Sequence, residues 1–264
     1  MILDRFKLTD KVAIVTGASA GIGRASALAF AEVGAHVVLA ARREDKLEEV
    51  AQQIRGFGRR ALAVPCDVNH SAQVGNVVTR AVAEFGRIDV LVNNAGGTGP
   101  TAALDLNLKD FEMAFHFNVG TAFLFSRLCA PHMAKVGGGS IVNISSAMSH
   151  MVDIGFVAYG TAKAALTHMT RLLGHEWAPT IRVNAIAVGA TETDALGPFL
   201  EAAEGLREKM VALTPMARLG TTEDIALAVL YLASPASSWV TGKVFDVDGG
   251  TIASNWPFKM PTGL

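Results

Sequence analysis

The sequence predicts an α/β chain of one domain: a doubly wound parallel sheet of about seven strands with helices on both faces. Two observations predict it. Short apolar runs rich in β-branched residues alternate with amphipathic stretches of helical period from residue 11 to residue 247. The first apolar run ends in a glycine-rich turn that opens directly into a helical stretch, the start of a βαβ unit. The bulk numbers agree, since 264 residues suffice for one domain, and 50% apolar against 18% charged residues leave much to bury.

Residues 11–16 (KVAIVT) read as a strand buried on both faces, because apolar side chains follow one another without alternation. Gly17, Ala18, Ser19, Ala20, Gly21, Ile22 and Gly23 turn it into a helix over 21–33, which Gly34 closes. Missing β-carbons at the three glycines let backbone N–H groups and the positive helix end approach an anion, so the turn is a candidate phosphate cradle. The second strand, 36–41, is followed by Arg42 and Arg43 and then by a helix with the stripe Leu47, Val50, Ala51 and Ile54. Two cations ahead of a helix start oppose its dipole, so local stability does not explain them, whereas a bound phosphate would. Asp45 is the rival acceptor for a ribose.

The third strand, 61–66, leads into Asp67 and Val68, and Val74, Val77, Val78, Ala81, Val82 and Phe85 then recur at helical spacing as core positions. The fourth, 88–92, ends in Asn93-Asn94-Ala95-Gly96 and the loop Gly97-Thr98-Gly99-Pro100. A long helix is expected over 108–135. Its Phe111, Phe115, Phe117, Phe123 and Phe125 exceed what one core face needs, so part of this surface is expected to pack on another subunit. Asn118 interrupts that apolar run, and an amide buried among phenylalanines is costly unless it has a specific role.

Gly137, Gly138 and Gly139 turn into the fifth strand, which ends at Ser145 and Ser146. A helix over 158–177 puts Tyr159 and Lys163, four apart, on one face. An ammonium beside a phenol favours the phenolate and is expected to draw its pKa down from about 10 toward the working range. Such a tyrosine gives or takes a proton, and Ser146 at the same strand end is placed to hold a substrate oxygen. His150 and Asp153 nearby invite a hydrolase reading, but the chain has no Gly-x-Ser-x-Gly elbow. The sixth strand is 181–188. Residues 191–214 read as a lid made apolar by Leu196, Pro198, Phe199, Met210, Val211 and Leu213, with few charges for a polar substrate. A helix over 223–233 and a strand over 243–247 complete the pattern, and the apolar tail Trp256-Pro257-Phe258 is expected against a neighbouring subunit or near a site.

The bulk chemistry excludes several classes. A net charge of −1 offers nucleic acid no basic surface. Cys66 and Cys129 lack any ligand spacing, so neither a metal site nor a disulfide is expected, and reduced thiols point to the cytoplasm. The opening residues do not form a signal peptide, and the apolar run 225–233 is far short of the roughly twenty residues a bilayer needs, so no membrane span is expected.

Together the glycine turn, Asn93-Asn94-Ala95-Gly96, Asn118, Ser146 and Tyr159-Gly160-Thr161-Ala162-Lys163 resemble the short-chain dehydrogenase/reductase family, over residues 8–250. The resemblance implies a Rossmann-type domain in which Asn118, Ser146, Tyr159 and Lys163 are catalytic. Asn118 would position a water that passes protons to Lys163. It implies cofactor contacts from Gly17, Ser19, Ala20, Gly21, Ile22, Gly23, Arg42, Arg43, Asp67, Val68, Asn93, Ala95, Gly96, Tyr159, Lys163, Gly189, Thr191 and Thr193, with Asn94 steadying the sheet. Members that bind NAD usually end the second strand on an acidic residue. Here Ala41 stands there ahead of Arg42 and Arg43, so NADP(H) is favoured, with NAD(H) as the other candidate. Val188 departs from the family's usual proline. Residues 91–100 and the run Thr193-Asp194-Ala195-Leu196 look most like 7α-hydroxysteroid dehydrogenase-like members, which implies a small hydrophobic, bulky or steroid-like ketone or alcohol. A 3-oxoacyl carrier-protein reductase is the enzymatic alternative, and the enoyl reductase branch is disfavoured because its lysine usually sits further from its tyrosine. A non-catalytic NADP(H)-binding regulator would typically lose the tyrosine or the lysine. Related proteins are commonly homotetramers paired through the Asn118 and Tyr159 helices and the last strand.

Overall fold

The apolar runs become strands and the periodic stretches become helices. In the computed structural model, which describes residues 1–194, 196–201, 204–257 and 261–262, the strands are β1 (Val12–Thr16), β2 (His36–Ala41), β3 (Ala61–Pro65), β4 (Val90–Asn93), β5 (Gly139–Ile144), β6 (Ile181–Val188) and β7 (Val244–Val247). They form one sheet in the order β3-β2-β1-β4-β5-β6-β7, and every pairing is parallel. The helices are α1 (Gly21–Glu32), α2 (Glu44–Gly56), α3 (Ser71–Phe85), α4 (Leu108–Phe115), α5 (Thr121–Lys135), α6 (Val157–Glu176), α7 (Gly197–Glu201), α8 (Leu206–Ala212) and α9 (Thr222–Ala233). Ala195 and Phe258, and the side chain of Pro198, lie outside the described residues.

Because successive strand residues point to opposite faces, an unbroken apolar strand feeds two cores at once. Ala13 and Val15 of β1 pack with Phe30 of α1, Val50 of α2 and Val229 of α9, while Val12 and Ile14 pack with Val77 of α3 and Phe125 of α5. Parallel strands bring all their carboxyl ends to one edge. Winding reverses between β1 and β4, the place where such sheets leave a crevice for ligands.

Two expectations change in detail. The helix expected over 108–135 is two helices joined by one wide turn, His116–Gly120, in which the Thr121 N–H reaches back to the His116 carbonyl. Side chains support the turn: Asn118 Nδ2 donates to the Ala114 carbonyl at 2.8 Å, and Thr121 Oγ1 donates to the Phe117 carbonyl at 2.8 Å. Such turns often mark functional positions. The fourth strand begins at Val90 rather than at residue 88, after Asp89, whose carboxylate accepts from the Val12 N–H at 2.9 Å and from Arg87 and Lys11. Burial alone would raise the Asp89 pKa, but those three donors more than offset it and hold the carboxyl below its usual range.

Candidate active site

The site starts at the end of β1. Gly17 (φ +65°) and Gly21 (φ +54°) hold left-handed backbone that a side chain would strain, and Gly23 is packed tighter still. A β-carbon on Gly23 would lie 2.4 Å from the Gly17 carbonyl oxygen, and one on Gly17 would lie 2.6 Å from Asn94 Nδ2. Ala20, whose methyl cannot cap, stands at the start of α1, so the first-turn N–H groups are left to an outside acceptor. A cradle this close, with uncapped donors and no acidic residue in the first turn, fits the pyrophosphate of a dinucleotide.

At the end of β5, Ser146 starts a short helical turn (Ala147–Ser149), its Oγ accepting from the Met148 N–H at 3.2 Å. Ser145 beside it donates to the Lys163 carbonyl at 3.2 Å, so one serine fastens α6 to the sheet and the other faces the site. Lys163, 4% exposed, places Nζ 5.7 Å from the Tyr159 ring centroid and donates to the Ile144 carbonyl at 2.8 Å. Asn118 is buried. Its Oδ1 accepts from the Gly97 N–H at 2.9 Å, and a β-carbon on Gly96 would sit 2.8 Å from Asn118 Oδ1 and 3.2 Å from Lys163 Nζ. Four predicted residues thus converge on one place.

The expected electrostatics do not hold in the protein alone. Burial disfavours both charged forms: it pushes the Tyr159 phenol above its usual pKa, against an opposing hydrogen bond from Ser146, and lowers Lys163 to about 8. Lys163 gives its hydrogen bond to the Ile144 carbonyl rather than to the phenol, and burial is the largest influence on Tyr159.

The other predicted contacts divide by side-chain direction. Arg43 Nη2 donates to Ser19 Oγ at 3.3 Å, joining the end of β2 to the glycine turn, and Arg42 beside it is exposed. The carboxylate of Asp67 accepts from the Asn69 N–H and is held below its usual pKa. Thr193 brings its methyl group within reach of Gly21, about 3.6 Å from where a β-carbon there would stand. Thr191 donates to the Gly189 carbonyl, and Gly189 donates to the Val247 carbonyl beside Val188. Three side chains point elsewhere. Asn93 is buried and donates to Asn143 Oδ1 and Ser126 Oγ, Val68 lies in the core, and Ile22 packs against the opposite core, so only their backbones border the crevice. Ala95 gives its N–H to Thr16 Oγ1, and Asn94 ties β4 to the Thr16 carbonyl at 2.9 Å.

The lid carries charged groups beside its apolar ones. Met210 is buried, and a groove of about 460 Å³ beside Thr193 is lined by Gly197 and Leu200 as well as by Glu192, Asp194, Glu201 and Arg207, with Arg207 paired to Glu192. His150 lies 3.6 Å from Asp246 and Asp153 accepts from the Ile154 N–H, so neither serves Ser146 as a base. Sequence reasoning missed Thr16, whose Oγ1 accepts from Asn94 N and Ala95 N, and Phe156, whose ring lies 6.3 Å from Tyr159, whereas Trp256, expected against a neighbouring subunit or near a site, packs on Phe156. A hydroxyl closing an apolar strand, and an aromatic three before Tyr159, were the available signals. Among the described residues no cluster of metal-ligating side chains occurs, and no helix is long and apolar enough to cross a membrane.

A family model described as enoyl-(acyl carrier protein) reductase matches residues 17–251. An uncharacterized oxidoreductase of Mycobacterium tuberculosis is 48% identical over 262 residues, 99% of either chain. The 7α-hydroxysteroid dehydrogenase of Escherichia coli is 40% identical over 250 residues, 94% of this chain and 97% of that one. Among solved structures, a 7α-hydroxysteroid dehydrogenase complexed with NADH and 7-oxo glycochenodeoxycholic acid matches with a TM-score of 0.91 at 40% identity, covering 96% of this chain and 98% of its own.

Proposed function

The chain belongs to the short-chain dehydrogenase/reductase family, oxidoreductases that act on CH–OH groups with a nicotinamide cofactor, and from that premise we propose that it transfers hydride between NADP(H) and a bulky, steroid-like ketone or secondary alcohol. The observation that carries this reading is the convergence of Ser146, Tyr159, Lys163 and Asn118 beside the glycine turn.

When bound, the nicotinamide supplies or accepts the hydride at its C4. The Gly17, Gly21 and Gly23 backbone and the start of α1 would hold the pyrophosphate, and Thr193 and Gly189 would border the nicotinamide end. Ser146 Oγ holds the substrate oxygen. Tyr159 gives it the proton during reduction, and a phenol kept protonated by burial is the form that step needs. Lys163 would hold the nicotinamide ribose, and Asn118 would position a water to complete the proton relay. Acid–base help of this kind contributes about 10² to 10⁴ in rate, and positioning and electrostatics supply the rest.

Arg42 and Arg43 support NADP(H), because no carboxylate ends β2 and Arg43 already reaches the glycine turn through Ser19. The 40% identity to 7α-hydroxysteroid dehydrogenase supports the substrate class. The four-residue spacing of Tyr159 and Lys163 argues against enoyl reduction despite the description of the matching family model. Parallel titrations with NADPH and NADH, followed by turnover of a panel of ketones and hydroxysteroids, test the reading. Tighter NADPH binding and turnover of a bulky ketone are expected. NADH preference removes the role given to the arginines, and binding without any turnover removes the enzymatic reading of this chain.

A further inference from the structure

An aromatic row leads away from the catalytic phenol. The ring of Phe156, three residues before Tyr159, lies 6.3 Å from it, centroid to centroid. Trp256 meets Phe156 edge-on at 5.6 Å, with planes at 90°, and meets Phe199 of α7 at 5.7 Å, with planes at 67°. These are separations and angles at which aromatic pairs attract. Next to it, Asn255 Nδ2 donates at 3.0 Å to Thr214 Oγ1, just beyond α8, and that hydroxyl donates to the Met210 carbonyl within α8. Two consecutive tail residues therefore reach both helices of the lid, and Trp256 also reaches the catalytic side through Phe156.

Resting on the reductase reading above, we propose that Trp256 is a specificity-determining residue: it ties the lid to the segment before α6 and walls the substrate end of the site with aromatic rings, which selects ketones bearing a broad apolar ring system over small ones. The geometry gives the reason. A carbonyl held by Ser146 and Tyr159 sends the body of its molecule past Phe156, and only a large body reaches Trp256 and Phe199. Phe199 is 39% exposed, so ring surface is left for such a body to cover. A flat apolar ring system gains most there, since aromatic side chains offer large, rigid contact area. A small ketone makes its polar contacts without touching this wall.

Two readouts on the full-length protein test the proposal. Arg207 and Lys209 lie exposed on α8, so trypsin reads how firmly the lid is held without any ligand. Trp256→Ala should be cut there about 5- to 10-fold faster than wild type, and Trp256→Phe, which keeps a ring between Phe156 and Phe199, should stay within about twofold. In turnover, Trp256→Ala should lose about 10-fold in kcat/KM for a 7-oxo bile acid, mostly through KM, and less than about twofold for cyclohexanone, with the dissociation constant of NADPH unchanged. Equal losses on both ketones, or an unchanged trypsin rate, overturn the proposal. A wild-type protein that reduces neither ketone defeats the reductase reading instead, and the trypsin rates then still decide whether Trp256 holds the lid.

Discussion

Tyr159 and Tyr231 are the only tyrosines in the chain, which makes the catalytic phenol directly readable. In a Tyr231→Phe variant without cofactor, the tyrosinate absorbance should develop with a midpoint above pH 10, because burial raises Tyr159 and the Ser146 hydrogen bond only partly opposes it. A midpoint near neutrality would restore the simple picture of a lysine-activated phenol. Tyr159→Phe should lower kcat by about 10² to 10⁴ while leaving the NADPH dissociation constant within about twofold, and loss of both together would contradict the role given to the hydroxyl. At this scale the sequence showed which residues meet, since a four-residue spacing on a helix places Tyr159 and Lys163 together whatever the tertiary context. It could not show their ionisation, because the burial that shifts both groups comes from β5 and the surrounding core.

The strand–turn–helix element from β1 into α1 tolerates no enlargement at Gly23. Gly23→Ala would drive a methyl group into the Gly17 carbonyl and Asn94, backbone and an amide held by its hydrogen bonds to the Thr16 and Gly17 carbonyls, neither of which moves aside cheaply. It should destabilise the protein by about 1–3 kcal/mol in denaturant melts and weaken NADPH binding at least several-fold, and unchanged affinity would show that the turn is not the cradle. Gly21→Ala meets only the Thr193 methyl group at about 3.6 Å, so its cost is mainly the left-handed backbone, about 1–2 kcal/mol. Elements of this kind were legible because glycine spacing and apolar period act locally. The wide turn at Asn118 was not: one extra residue barely disturbs the spacing of the phenylalanines around it, and its cause is a set of hydrogen bonds from Asn118 and Thr121 to carbonyls one turn back.

Across the whole molecule, Lys163 links stability to pH. A lysine is charged when protonated, so its burial penalty is complete below about pH 8 and is relieved as pH rises from about 8 toward the unfolded lysine value of about 10.4. Over that window the Tm of the cofactor-free wild type should gain on that of Lys163→Met, and a constant gap would mean that the ammonium is not penalised. Phe115, Phe123, Met113 and Leu108 are each over 40% exposed, and this is the surface proposed to pack on another subunit. Sedimentation should give a tetramer, and a Phe115→Glu, Phe123→Glu double variant a smaller species. The strand order was less legible than the strands, because parallel pairing leaves no local mark in sequence and followed only from the alternation of elements and the family resemblance. That order has a consequence for engineering. Arg43 follows β2, whereas Thr191 and the lid follow β6, four strands away, about 19 Å at the usual spacing. On the roles proposed for Arg43 and Trp256, cofactor choice and ketone choice sit on separate halves of the molecule and should be separable: in a double-mutant cycle, Arg43→Ala and Trp256→Ala should combine additively to within about 0.5 kcal/mol, so that each preference can be redesigned without undoing the other.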